Sequence, residues 1–204
     1  MRGARSSVTK KPSSNGDTSG GRISKKASEE RRTAVFLDES GFYPLPAAVR
    51  TYAPVGQTPV LREYVTRDHL SAIGAITPAG KLFLHVREKP WNSAGVARFL
   101  KHLLRVLSGL LLILWDGSPI HRGPEVRALL ASPEGARIQV ERLPGYAPDL
   151  NPAEFVWRHL KYADLKNVAS DSLAELRVRL DAATRRLRQR PGVVSAFVRH
   201  LDRV

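Results

Sequence analysis

Two short, uninterrupted apolar runs that each end in an aspartate constrain this chain more than any other feature. Ala34-Val35-Phe36-Leu37 runs into Asp38-Glu39-Ser40-Gly41, and Leu110 to Trp115 runs into Asp116-Gly117. A strand covered on both faces needs continuous apolar residues, not the alternation of a half-exposed one. A sheet with helices on both faces is therefore expected. A carboxylate where such a strand stops is costly unless it is paired or metal-bound.

The rest of the pattern fits that architecture. Further strand candidates are Val60 to Val65, Leu70 to Ile76, Leu82 to Val86 and Ile138 to Leu143, with a turn signal at Pro78-Ala79-Gly80-Lys81. Val96, Phe99, Leu100, Leu103, Leu104 and Leu107 recur at helical spacing and predict an amphipathic helix over Ser93 to Leu107. Shorter helices are expected at Pro124 to Ala131 and after Pro191. Longer ones are expected from Asn151-Pro152-Ala153-Glu154 to about Lys166 and from Leu173 to Arg190. The order β-β-β-β-α-β-α-β-α-α predicts an α/β fold, a mixed sheet of about five strands flanked by helices.

Residues 1–32 hold nine basic and three acidic residues and almost no large apolar side chain. They cannot repay the entropy of ordering, and are read as a disordered basic tail preceding one folded unit over 33–204. The whole chain carries 33 Lys plus Arg against 19 Asp plus Glu, a formal charge of +14. That balance favours a polyanion, nucleic acid first. With no cysteine, thiolate metal sites, disulfides and cysteine nucleophiles are excluded, and any metal must bind through oxygen or imidazole. The most apolar run, Gly109 to Trp115, is too short to cross a bilayer, so a soluble cytoplasmic, nucleoid-associated protein is expected.

Phosphodiester cleavage at neutral pH needs an activated water and stabilised charge on attacking and leaving oxygens, which two carboxylate-bound divalent ions can supply. Asp38 and Asp116 are placed for this, although both also suit ordinary turn chemistry. Glu39 would face the other side of its strand and is the weaker ligand candidate. For Glu154 two roles compete. Asn151, Pro152 and Glu154 fit N-cap, first position and third position of a capping box, while a first-turn carboxylate can also reach a metal beside strand ends.

Three blocks resemble one family. They are Phe36-Leu37-Asp38-Glu39-Ser40-Gly41-Phe42, then Leu114-Trp115-Asp116-Gly117-Ser118-Pro119-Ile120-His121-Arg122, and Leu143-Pro144-Gly145-Tyr146-Ala147-Pro148-Asp149-Leu150-Asn151-Pro152-Ala153-Glu154-Phe155-Val156-Trp157. With 37 residues between Asp116 and Glu154, and Tyr52 to Pro59 after the first acid, the chain resembles the DDE transposases of the insertion-sequence six-thirty and Tc-mariner superfamily over residues 33 to about 200. The resemblance implies an RNase H-like fold and Asp38, Asp116 and Glu154 as a catalytic triad holding two Mg²⁺ or Mn²⁺ ions. It also implies cleavage of transposon ends followed by joining to a TA target. Many members have Asn where this chain has Gly117.

Double-stranded DNA is the expected partner, engaged by a homodimer. Family members place a helix-turn-helix region before the first catalytic strand. Its place is taken here by the polar tail, so an upstream helix-turn-helix product or a truncated remnant is expected. Two alternatives stand beside a transposase: an RNase H-like nuclease without strand transfer, and an inactive DNA-binding remnant. Candidate DNA contacts are Arg158 and Lys161, one and two turns beyond Glu154, and Arg185 and Arg186 on a helix also rich in Arg177, Arg179, Arg188 and Arg190. His121 is a secondary candidate, weighed against an exposed loop histidine. Glu154 and Arg158 could instead pair on a solvated helix. Trp115 and Trp157 are read as core residues.

Overall fold

The computed structural model describes residues 26, 27, 29–44, 68–144, 150–166 and 169–200. The strand expected at Val60 to Val65, the segment Tyr52 to Pro59 and the Gly145 to Asp149 part of the third motif lie outside the described residues. Five strands form one sheet. They are β1 (Arg32–Phe42), β2 (Leu70–Ile76), β3 (Leu82–Arg87), β4 (Leu110–Trp115) and β5 (Ile138–Arg142), in the spatial order β3-β2-β1-β4-β5. β1 to β3 form an antiparallel meander, and β4 and β5 join β1 in parallel. Tight backbone bonds between Thr77 and Lys81 close the β2–β3 hairpin where the turn signal stood.

Helices cover both faces, as the two apolar runs require. Val35, Leu37, Leu111 and Ile113 pack on one side with α1 (Ser93–Val106) and α2 (Pro124–Leu130). Ala34, Phe36, Leu112 and Leu114 pack on the other with α3 (Ala153–His159), α4 (Leu173–Arg188) and α5 (Pro191–Arg199). The predicted α1 is observed within a residue of its expected end. Asn92 caps it by accepting from the Gly95 amide at 2.9 Å, and Arg137 donates to the carbonyls of Leu104 in its last turn and of Leu107 and Gly109 just after it. Among the described residues no helix is long and apolar enough to cross a membrane.

Order begins earlier than Thr33. Ala27 is buried against the sheet, Lys26 Nζ lies 2.8 Å from Glu141 Oε2, and β1 itself starts at Arg32. The expected tail therefore overreaches at its C-terminal end. One alanine and one ion pair anchor a segment whose composition looks wholly polar.

The arginine-rich α4 is also less open to a partner than its sequence suggests. Arg177 pairs with Asp181, Arg179 with Glu175 and Arg186 with Asp164. Arg188 donates to Leu82 O and Leu84 O, blunting the exposed edge of β3. Four of the helix's arginines thus serve the fold, while Arg185 remains exposed.

Candidate active site

The sheet carries the two aspartates on neighbouring strands, but only Asp116 follows a strand end: Asp38 lies inside β1, which runs on to Phe42 by pairing with β2. The last β1–β4 pair is Phe36 with Leu114, and two residues further along the parallel strands come Asp38 and Asp116. Asp38 follows the side-chain parity of Ala34 and Phe36, so it faces α3. There Trp157 Nε1 donates to Asp38 Oδ2 at 2.8 Å. Opposite Asp38 in the antiparallel pairing stands Gly74. A methyl group at Gly74 would lie 2.5 Å from Trp157 Cη2 and 3.0 Å from Cζ2, so the bare glycine is what lets the indole lie under the carboxylate. Trp157 is a core residue, as expected, but its ring nitrogen also orients an acid of the candidate site.

Asp38 is 8% exposed, and its carboxyl is pushed up to about 7. Burial is the main cause and the charge of Glu154 the next, while the Trp157 hydrogen bond opposes them. Asp38 and Glu154 are therefore close enough to repel. Lys161, on the π-helical turn Leu160–Asp164 that continues α3, donates to Ser40 Oγ at 2.8 Å. Burial lowers its pKa, and the charges of Glu154 and Asp38 partly restore it. Lys161 is thus held beside the acids, not on an outer helix face.

The predicted cap at α3 is only partly present. Asn151 Oδ1 accepts from Ala153 N at 3.2 Å, and its amide nitrogen lies 3.5 Å from Leu37 O, tying the helix start to β1. The helix begins at Ala153, and among the described residues the exposed carboxylate of Glu154 accepts no hydrogen bond. The capping-box role for Glu154 is therefore corrected. Nor do Glu154 and Arg158 form an ion pair among the described residues; Arg158 is exposed.

His121 is the clearest correction. It is buried, 3% exposed, and stacks on Trp115 with centroids 4.3 Å apart and planes 8° from parallel. It is neither an exposed loop histidine nor placed to meet a phosphate. Its Nε2 lies 3.0 Å from Glu39 Oε1 and its Nδ1 lies 3.1 Å from Asp116 Oδ1. Burial works against a charged ring, but the Glu39 hydrogen bond and charge, with Asp116, outweigh it and raise the pKa. Asp116 Oδ1 also accepts from Ser118 N at 2.8 Å.

Glu39 stood in the sequence only as a weaker ligand candidate, and nothing there singled out Gly74 or Arg142. A side chain at Gly117 would run into the guanidinium of Arg142, which fills the space beside the second acid where many family members carry an asparagine.

Among the described residues no three His, Asp or Glu side chains are gathered tightly enough to enclose an ion. Asp38 and Glu154 interact, whereas Asp116 leans on His121 and Ser118. The donor chemistry nevertheless suits a hard divalent cation, since the candidate ligands are all carboxylate oxygens. Asp38 is a buried carboxyl near Glu154, and such an ion would stabilise its ionised form.

Solved structures of Mos1 mariner transposase share this architecture. Its catalytic domain superposes with a TM-score of 0.59 at 16% identity, covering 90% of this chain and 84% of that one. The Mos1 paired-end complex with Mg gives 0.64 at 18% identity, covering 99% of this chain and 66% of that one. The paired-end complex with the left transposon end gives 0.60 at 17%, covering 97% and 67%. The chain thus spans about two-thirds of the longer Mos1 chains. At such identities the likeness is one of fold, the RNase H-like arrangement of a mixed five-stranded sheet with helices on both faces. The chain belongs to the DDE superfamily endonuclease family, whose sequence pattern matches residues 33–177. No curated protein sequence matches it.

Proposed function

We propose that this chain is the catalytic core of a cut-and-paste DNA transposase, in which Asp38, Asp116 and Glu154 hold two Mg²⁺ or Mn²⁺ ions. The observation that carries this reading is the buried Asp38 on β1, close enough to Glu154 to feel its charge, with Asp116 just past the end of the neighbouring parallel strand β4, in a DDE endonuclease. When bound, the ions would supply Lewis-acid activation and charge neutralisation at the scissile phosphate. Asp38 must give up its proton to serve as a ligand. Trp157 fixes Asp38 Oδ2, Asn151 ties the start of α3 to β1, and the Lys161 ammonium offsets part of the surrounding negative charge.

Water attacks the phosphodiester at a transposon end, and the 3′-hydroxyl so released attacks target DNA in a second in-line displacement. No covalent enzyme intermediate is needed. Arg158 and Arg185, both exposed, and Arg142 beside Gly117 are suited to phosphate contacts. Arg186 is half-exposed and shared with Asp164, so it contributes less. A second copy, and a helix-turn-helix segment that reads the transposon end, complete the assembly. A soluble, nucleoid-associated location follows from DNA as the partner.

The test is metal-dependent nicking and strand transfer on supercoiled plasmid carrying a cognate transposon end. Wild type should do both with Mn²⁺. Asp116→Asn and Glu154→Gln should lose at least about 10³-fold in either step while staying folded, because a shared two-ion site supplies several kcal/mol of transition-state stabilisation. Nicking without joining would reduce the reading to a nuclease. Full activity in either variant would remove that residue from the site.

A further inference from the structure

Asp38 and Glu39 are adjacent on β1 and point to opposite faces, and each leads to a different acid of the proposed site. Asp38 is itself a candidate ligand. Glu39 reaches the other face, where its Oε1 meets His121 Nε2 at 3.0 Å. The Nδ1 of the same ring hydrogen-bonds with the Asp116 carbonyl at 3.4 Å and lies 3.1 Å from Asp116 Oδ1, close enough for charge attraction to the carboxylate. The imidazole has little freedom to turn, because it is buried and lies flat on Trp115. Trp115 in turn is clamped in β4, opposite Arg142 of β5.

We infer that Glu39 and His121 are positioning residues for Asp116: Glu39 fixes the ring through Nε2, and the ring sets the orientation of the Asp116 carboxylate through Nδ1. This rests on the reading of Asp116 as a metal ligand. A partner one shell behind a ligating group typically changes metal affinity by about 10- to 100-fold. The exposed, loop-borne Asp116 needs such a support more than Asp38, whose orientation is already fixed by burial and Trp157. The Asp38-Glu39 pair of β1 thereby bears on both aspartates, one directly and one through His121.

The two ring nitrogens can be separated by substitution. His121→Asn places an amide donor near the Nδ1 position and gives up the Glu39 contact, whereas His121→Gln places one near Nε2 and gives up Asp116. His121→Phe keeps the stack on Trp115 and loses both. The readout is Mn²⁺ binding followed by electron paramagnetic resonance of the free ion, with thermal midpoints as the folding control. It is paired with KM for DNA and the Mn²⁺ concentration giving half-maximal nicking.

Mn²⁺ affinity should fall about 10- to 100-fold in His121→Phe and His121→Gln, and only a few-fold in His121→Asn and the isosteric Glu39→Gln. KM for DNA should stay unchanged. A purely structural histidine would instead make the Asn and Gln variants equivalent in metal binding, which overturns the inference. So does wild-type Mn²⁺ affinity in a folded His121→Phe or, should that variant not fold, in His121→Gln. Asp116→Asn separates the two levels. Unchanged Mn²⁺ binding there overturns the ligand reading itself, whereas lost binding there with intact binding in His121→Phe or His121→Gln overturns the positioning role alone.

Discussion

Asp38→Asn is expected to abolish cleavage and, at the same time, to raise the thermal midpoint of the metal-free protein at pH 8. The buried carboxyl is held near pH 7, against an ordinary value of 3.8. Between those values the folded state holds a proton that the unfolded state has released. Stability therefore falls as pH rises from about 4 to about 7, and the loss is complete above that window. At about 1.4 kcal/mol per pKa unit the ionised Asp38 costs up to about 4 kcal/mol. Asparagine keeps an oxygen to accept from Trp157 Nε1 and carries no charge. A gain of about 2–4 kcal/mol is expected at pH 8, or about 5–10 °C in a chain of this size, shrinking toward zero at pH 4.

Added Mn²⁺ should reverse the ranking. A ligand bound only by the folded state at about 1,000 times its Kd contributes about 4 kcal/mol. Wild type should gain this and Asp38→Asn should not. Calorimetry over pH 4–8, with and without Mn²⁺, reads both effects. An Asn variant less stable than wild type at pH 8 would refute the view of Asp38 as a charge held at a cost for function.

Gly74→Ala should damage catalysis through a methyl group that touches no substrate. The added carbon would lie 2.5 Å from Trp157 Cη2, in a region where Trp157 packs edge-on against Phe42 and has no open space to enter. Overpacking of this kind costs about 1–3 kcal/mol. Moving the indole pulls Nε1 from Asp38, and a misplacement of about 1 Å at a reacting centre can cost about 10²-fold in rate. Trp157→Phe removes the clash and the hydrogen bond together, so adding it to Gly74→Ala should recover stability without recovering activity. Strictly additive stabilities across that double-mutant cycle would show that the two residues do not act through each other.

Much of the scaffold was legible because its signals are local. The runs at Ala34 and Leu110 could only be strands covered on both faces, and the apolar spacing from Val96 to Leu107 could only bury one helical face. Ala27 was missed because one small apolar residue in a polar segment carries no periodicity. The pairs Arg177–Asp181 and Arg179–Glu175 were readable as four-residue spacings on a helix, and they explain why the basic character of α4 overstates its availability.

The site divided along the same line. Strand parity placed Glu39 opposite Asp38, and the structure agrees. What waits on that opposite face depends on where the 3₁₀ turn Pro119–Arg122 lands, a tertiary fact no spacing encodes. His121 therefore looked like a loop residue, although it is buried on Trp115. Trp157 did carry a usable signal: a buried indole N–H needs an acceptor, and a carboxylate on the strand it packs against is a natural one.

The most direct measurement is a crystal structure of the protein grown with Mn²⁺, with data collected to locate the ion by its anomalous scattering. Mn²⁺ should lie between Asp38, Asp116 and Glu154, with carboxylate oxygens of all three drawn to about 2.0–2.2 Å, near the distance small hard divalent cations demand. Asp38 should keep its bond from Trp157, and Asp116 its contact with His121. Saturating Mn²⁺ found elsewhere, or bound without Asp38 and Asp116, would contradict the three-carboxylate site.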